Sequence, residues 1–220
     1  MTSANPTGSS TGRDALLFES IANDIATRGY SINPGALTPE LLSQLSAHLH
    51  EIPSSKFKRA GVGRASNHTL NNLVRSDEMC WITGDNTAGN AWLCWAETLQ
   101  RYLNRHLLLG LFSFESHFSH YGPGDFYTTH QDSFKGEANR ILSIVVYLNN
   151  DWGIDDGGEL VIFTDKDKQH AVKVMPDYGT VVAFLSEDFP HEVLPANRDR
   201  YSIAGWFRAH NPDTGHLDPV

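Results

Sequence analysis

A mainly β, α+β chain with helices confined to its N-terminal half is predicted by three features. Apolar residues recur with a helical period up to about residue 106, and after Phe112 they alternate with period 2. Turn signals such as YGPGD, DDGG and PDYG then cut the rest into short runs. Short strands at that spacing predict a sandwich, jelly roll or barrel, here buttressed by the helices. The 220 residues suit a single domain of ordinary composition.

In chain order, residues 1–13 are small and polar and read as a disordered leader. Leu17, Ile21 and Ile25 form one face of a helix over Asp14–Arg28, stopped by Gly29. Thr38-Pro39-Glu40 opens a second helix burying Leu41, Leu42, Leu45 and Leu49. A third runs from about Ala88 to His106 with Trp92, Trp95, Leu99 and Leu103 on one face, and Gly110 closes it. Residues 53–83 read as short strands mixed with loops. Strand runs follow at 141–148, 159–163, 170–174, 180–185 and 200–208. No linker separates the halves, so one domain is expected over 14–210, with helical support to about 110, the β portion over about 111–208 and a tail at 211–220.

Composition narrows the function classes. A net charge of -9 argues against a protein built to wrap nucleic acid, which shows a basic footprint. Two cysteines, Cys80 and Cys94, make neither a disulfide scaffold nor an all-cysteine zinc site; they read as buried or half-buried thiols of a reducing compartment. No membrane span and no secretory signal is readable, so a cytoplasmic location is expected.

Eleven histidines remain to be sorted. His130-Gln131-Asp132 is an H-x-D triplet, and on a strand i and i+2 face the same way, toward one metal. A lone H-x-D is ordinarily a solvated loop pair, and the tail holds another, His216-Leu217-Asp218. The first copy differs in context. It follows YGPGDFYTT and precedes the strand runs, and His191 lies downstream between the runs TVVAFL and RYSIAGWFR. Two histidines and one carboxylate from separate strands suit non-haem Fe(II), with positions left for O2 and a cosubstrate. In RYSIAGWFR, alternation puts Arg200 opposite the packing residues Tyr201, Ile203 and Phe207. An inward guanidinium calls for an anion, which a dicarboxylate cosubstrate supplies, and Tyr147 could donate to the same carboxylate. Without the triad, a rim arginine and a core tyrosine are the ordinary readings of these two. His117 and His120 are held in reserve because they lie on the strand leading into His130.

HQD, His191 and Arg200 nine positions later resemble an Fe(II)- and 2-oxoglutarate-dependent dioxygenase. GVGR (61–64), VRSDEMCWI (74–82), HYGPGDFYTTHQD (120–132), VVYLNNDW (145–152), DDGGEL (155–160) and PHEVLPANRDRYSIAGWF (190–207) narrow this. Together they resemble the prolyl 4-hydroxylase branch, and within it the oxygen-sensing prolyl hydroxylases of animals and their bacterial relatives. The resemblance covers about 60–208. It implies a double-stranded β-helix (jelly roll) that binds Fe(II) through His130, Asp132 and His191. It further implies that Arg200 and Tyr147 hold the distal carboxylate of 2-oxoglutarate, with Tyr121 and Tyr127 lining that pocket. Arg140 and Trp206 match residues near the substrate proline, and Arg75 and Asp77 a mobile loop over the active site. The implied reaction couples decarboxylation of 2-oxoglutarate to succinate with C–H hydroxylation by O2, ascorbate serving as reductant. The implied partner is a protein with an exposed proline, elongation factor Tu being the leading candidate, and neither nucleic acid nor membrane.

Rival readings keep the fold and change the use. No H-E-x-x-H, G-x-S-x-G or GxxxxGK is present, which removes the main signals for zincins, α/β-hydrolases and P-loop proteins. Nucleic-acid demethylases of the same chemistry typically carry an arginine six residues after the cosubstrate arginine, where this chain has Trp206. A hydroxylase of a free amino acid or other small molecule, and a non-catalytic metal-binding jelly roll, complete the alternatives.

Overall fold

A computed structural model describes residues 10–60, 74–133, 139–165 and 167–210. GVGR, the second H-x-D and most of the expected leader and tail lie outside these residues. Among them are three helices, α1 (Ser10–Arg28), α2 (Pro39–Glu51) and α3 (Thr87–Leu107). The eleven strands are β1 (Tyr30–Asn33), β2 (Lys58–Arg59), β3 (Glu78–Trp81), β4 (Leu111–Tyr121), β5 (Tyr127–His130), β6 (Arg140–Tyr147), β7 (Leu160–Phe163), β8 (Ala171–Val174), β9 (Val181–Leu185), β10 (His191–Val193) and β11 (Arg200–Ala209). They form a seven-stranded sheet, β1-β9-β6-β11-β4-β3-β2, and a four-stranded sheet, β5-β10-β7-β8. All ladders are antiparallel. This is the double-stranded β-helix with N-terminal helices that the resemblance implies.

Strand alternation gives the large sheet two different faces. Leu142, Ile144 and Val146 of β6, Val181 and Ala183 of β9, and Ile203 and Phe207 of β11 face the helices. There they share one core with Ile21, Leu45, Trp92, Leu99 and Leu103. The alternate residues Tyr147, Val182 and Phe184 face the small sheet and join Leu160, Ile162 and Val193 in a second core. Burying the outer face under helices leaves the inner face free to carry polar groups.

Specific bonds hold the helices in place. Asn86 caps α3 by accepting from the Gly89 N–H at 2.8 Å, and Trp92 Nε1 donates to Ser116 Oγ of β4 at 2.9 Å inside the core. Helix α1 starts at Ser10, four residues before its apolar period, and Asp14 Oδ1 accepts from Trp95 Nε1 of α3 at 3.0 Å. Thr38 precedes Pro39 as expected, yet its side chain makes no capping bond.

Several expectations are corrected. Strand β4 ends at Tyr121, and His130 lies on β5 of the other sheet, so His117 and His120 do not lead into it. Asp132 lies beyond the end of β5, and the shared aim of the triplet comes from a turn rather than from strand alternation. Cys94 is exposed on α3, while Cys80 is half-buried.

Candidate active site

The small sheet brings the two distant histidines together. His130 at the end of β5 and His191 at the start of β10 are direct cross-strand partners, with ring centroids 4.2 Å apart. The chain turns after His130, and Gln131 pins that turn by donating Nε2–H to the Glu187 carbonyl at 2.9 Å. Asp132 is thereby aimed back at both rings. Its Oδ1 lies 3.8 Å from His130 Nε2 and its Oδ2 lies 3.7 Å from His191 Nε2. One ligand atom from each of the three residues lies within 4.8 Å of the others, a spacing one metal ion can bridge.

The surroundings set tautomer and charge. His130 Nδ1 donates to the Thr128 carbonyl at 2.8 Å, and His191 Nδ1 to the Phe189 carbonyl at 3.0 Å. Each bond places the proton on Nδ1 and leaves the Nε2 lone pair toward Asp132, the form a metal takes. Burial, followed by the neighbouring His191, drives the His130 imidazole down to about 3, so it is neutral near pH 7. Burial acts to raise Asp132, but His191, His130 and the Ser143 hydroxyl outweigh it and hold the carboxyl at about 2. Ser143 Oγ donates to Asp132 Oδ2 at 2.6 Å and lies 2.9 Å from Ser186 Oγ. This support was missed in the sequence. Its signal was a lone serine within ILSIVVYL on the same alternation as Tyr147.

Arg200 and Tyr147 form the other end of the inner face. Arg200 is 1% exposed, and no carboxylate among the described residues pairs with it. Its Nε donates to the Gly158 carbonyl at 2.8 Å and its Nη1 to Ser202 Oγ at 3.3 Å. The guanidinium carbon lies 5.0 Å from the ring centres of both Tyr121 and Tyr147. Tyr147 is fully buried, and its hydroxyl has no hydrogen-bond partner of acceptable geometry. Burial, tempered by Arg200, pushes that phenol up to about 12. A sealed cation and a sealed unpaired hydroxyl side by side are costly unless an anion meets both. The DDGG signal has its reason here: Gly158, at φ +69°, lies so close to Arg200 that a Cβ would come within 3.0 Å of its Cδ.

The remaining candidates form two further groups of stacked and ion-paired side chains. Tyr127 stacks on His130 with centroids 3.4 Å apart, and Arg75 lies 4.3 Å over the Tyr127 ring. Arg75 is held by a bidentate bond to the buried Asp77, both contacts at 2.7 Å, so the pair is anchored rather than free. Arg140 lies 3.8 Å over the Trp206 ring and donates to Glu115 at 2.8 Å; Arg208 donates to the same carboxylate at 3.1 Å. Sequence reasoning had no signal for Glu115 as the anchor of two arginines.

The comparisons agree with this geometry. Residues 116–208 match the family model described as the 2OG-Fe(II) oxygenase superfamily. The crystal structure of a Pseudomonas putida prolyl-4-hydroxylase superposes with a TM-score of 0.79 and 34% identity, covering 88% of this chain and 100% of that one. The chain belongs to the 2OG-Fe(II) oxygenase superfamily. A prolyl hydroxylase from Trichoplax adhaerens, solved with a hypoxia inducible factor peptide, shares the oxygenase fold at a TM-score of 0.76 and 24% identity. Egl nine homolog 1 of Rattus norvegicus is 36% identical over 88 residues, which are 39% of this chain. The aligned part spans 25% of that relative and 20% of its human counterpart. The oxygenase is thus a 2-oxoglutarate dioxygenase of the prolyl hydroxylase type, using Fe(II), 2-oxoglutarate and O2. No helix among its described residues is long and apolar enough to cross a membrane.

Proposed function

We propose that this oxygenase is a prolyl 4-hydroxylase acting on a protein, with one catalytic domain over residues 14–210. The observation that carries the reading is the sealed Arg200–Tyr147 pair, unpaired with any described carboxylate, on the large-sheet face from which Ser143 also bonds Asp132 of the three-ligand cluster. A dicarboxylate fits: one carboxylate takes the Arg200 guanidinium and the Tyr147 hydroxyl, and the remaining end reaches toward His130, Asp132 and His191. Those three would hold the iron. Bound iron, with 2-oxoglutarate and O2, supplies the oxidising power that hydroxylates a C–H bond as succinate and CO2 form.

The chain's own groups bind, orient and exclude water. Ser143 fixes the Asp132 carboxylate, and the two carbonyls that receive Nδ1–H hold the imidazoles in their ligating form. Tyr121 and Tyr127 wall the cosubstrate from solvent, Tyr121 being 4% exposed. Arg140 and Trp206, stacked on each other, and the Arg75–Asp77 pair border the substrate proline. Ascorbate would serve as the reductant for bound iron, and the cytoplasm is the proposed location. Elongation factor Tu, the substrate that the resemblance implies, is the leading candidate. The test is aerobic incubation with Fe(II), 2-oxoglutarate and a cytosolic extract, then mapping of proteins that gain one oxygen on proline. Oxidised proline in elongation factor Tu supports the full reading. Succinate formed only with a free amino acid shows a small-molecule hydroxylase instead, and the absence of iron-dependent turnover with any added peptide or small molecule points to a binding module.

A further inference from the structure

The inner face of β4 carries a histidine that neither the ligand cluster nor the Arg200 end uses. His117 pairs across the sheet with Ala204 of β11 and Trp81 of β3, two alternations along from Tyr121, which pairs with Arg200. Its imidazole is 2% exposed and framed by two indoles. Trp81 meets it edge-on at 5.4 Å, and Trp206 lies tilted at 5.4 Å with Arg140 stacked upon it.

One ring nitrogen is engaged and the other is not. Nδ1 lies 3.2 Å from the Phe118 carbonyl and 3.1 Å from Ser119 Oγ. A carbonyl only accepts, so Nδ1 carries the proton and Nε2 keeps its lone pair. Nε2 has no hydrogen-bond partner among the described residues. Among the described residues the fully sealed, unpartnered side-chain polar atoms are Ser133 Oγ and Tyr147 Oη, and His117 Nε2 is not one of them. Burial, then the charges of Arg75 and Arg140, hold this imidazole down at about 3, so it is neutral near pH 7. An uncharged acceptor between two indoles cannot select a ligand by charge. It selects a donor, because a lone pair left unmet when a substrate closes over it costs free energy. A peptide-bound proline has no N–H, so in a polypeptide the donor is a neighbouring residue.

We propose that His117 Nε2 accepts a hydrogen bond from a main-chain N–H flanking the target proline of a polypeptide substrate. This rests on the prolyl hydroxylase reading above. The probe is a synthetic peptide spanning the proline that is oxidised in the extract, together with versions N-methylated at each flanking residue. These are assayed with wild type, His117→Met, His117→Phe and His117→Gln, with melting curves for each protein. Met and Phe keep the packing without the acceptor, and two such variants guard against one failing to fold. Both are expected to raise the peptide KM about tenfold while the 2-oxoglutarate KM stays within twofold, and Gln, which offers an amide oxygen, recovers most of the loss. One N-methyl position is expected to cost wild type about tenfold in kcat/KM and to cost His117→Met nothing further. Equal N-methyl costs in wild type and variants at every position overturn the proposal and leave the hydroxylase reading standing. If no proline is oxidised in the extract, that underlying reading falls, and the proposal falls with it.

Discussion

At the scale of single residues, the sealed Arg200 guanidinium and Tyr147 hydroxyl make unequal contributions that kinetics can separate. Arg200→Ala removes a charge-assisted fork and is expected to raise the 2-oxoglutarate requirement about 10- to 100-fold. Tyr147→Phe removes one neutral donor and is expected to raise it by about tenfold or less. Both are read from succinate formation against 2-oxoglutarate concentration, and an unchanged requirement in Arg200→Ala would falsify its role. His130→Ala and His191→Ala are expected to abolish iron-dependent turnover, whereas His216→Ala leaves it intact; full activity in His130→Ala sinks the cluster assignment. The cluster itself was legible because spacing and strand context marked it among eleven histidines. Ser143 and His117 were not, because a polar residue in an apolar strand has meaning only once the inward face is known.

At the scale of elements, long periodic segments could be read directly and short ones could not. Helices α2 and α3 and strands β6, β9 and β11 each carry enough residues to show a period. Strands β1, β5 and β10 have only four, four and three residues, and their pairing is set by partners elsewhere in the chain. That is why β1, β5 and β10 match none of the predicted strand runs, although β5 and β10 carry the two histidines. The Asn86 cap offers a test of how far the helical layer supports the rest. Asn86→Ala is expected to cost about 1 kcal/mol in urea unfolding, with the 2-oxoglutarate requirement unchanged, because α3 packs on the outer face. A changed requirement at equal folded fraction would show that the helices tune the inner face as well.

At the scale of the whole molecule, the buried neutral His117 makes stability depend on pH. Its folded value of about 3 lies below the ordinary 6.5, so the folded state resists the proton that the unfolded chain accepts. The associated stability is complete above pH 6.5 and is lost as pH falls toward 3. Between pH 7 and pH 4 the loss attributable to this group is on the order of 3 kcal/mol. His117→Met is expected to flatten that part of the profile in urea titrations at each pH, and an identical acid slope in both proteins contradicts the assignment. The direct pairing of His130 with His191 has a consequence for how the molecule forms. These partners are separated by roughly sixty residues of chain, so their meeting requires closure of a long loop that also contains β6, β7, β8 and β9. An unfolded or half-folded chain therefore presents these two histidines singly, and on the proposed assignment iron capture would be a late event that reports completion of the second sheet.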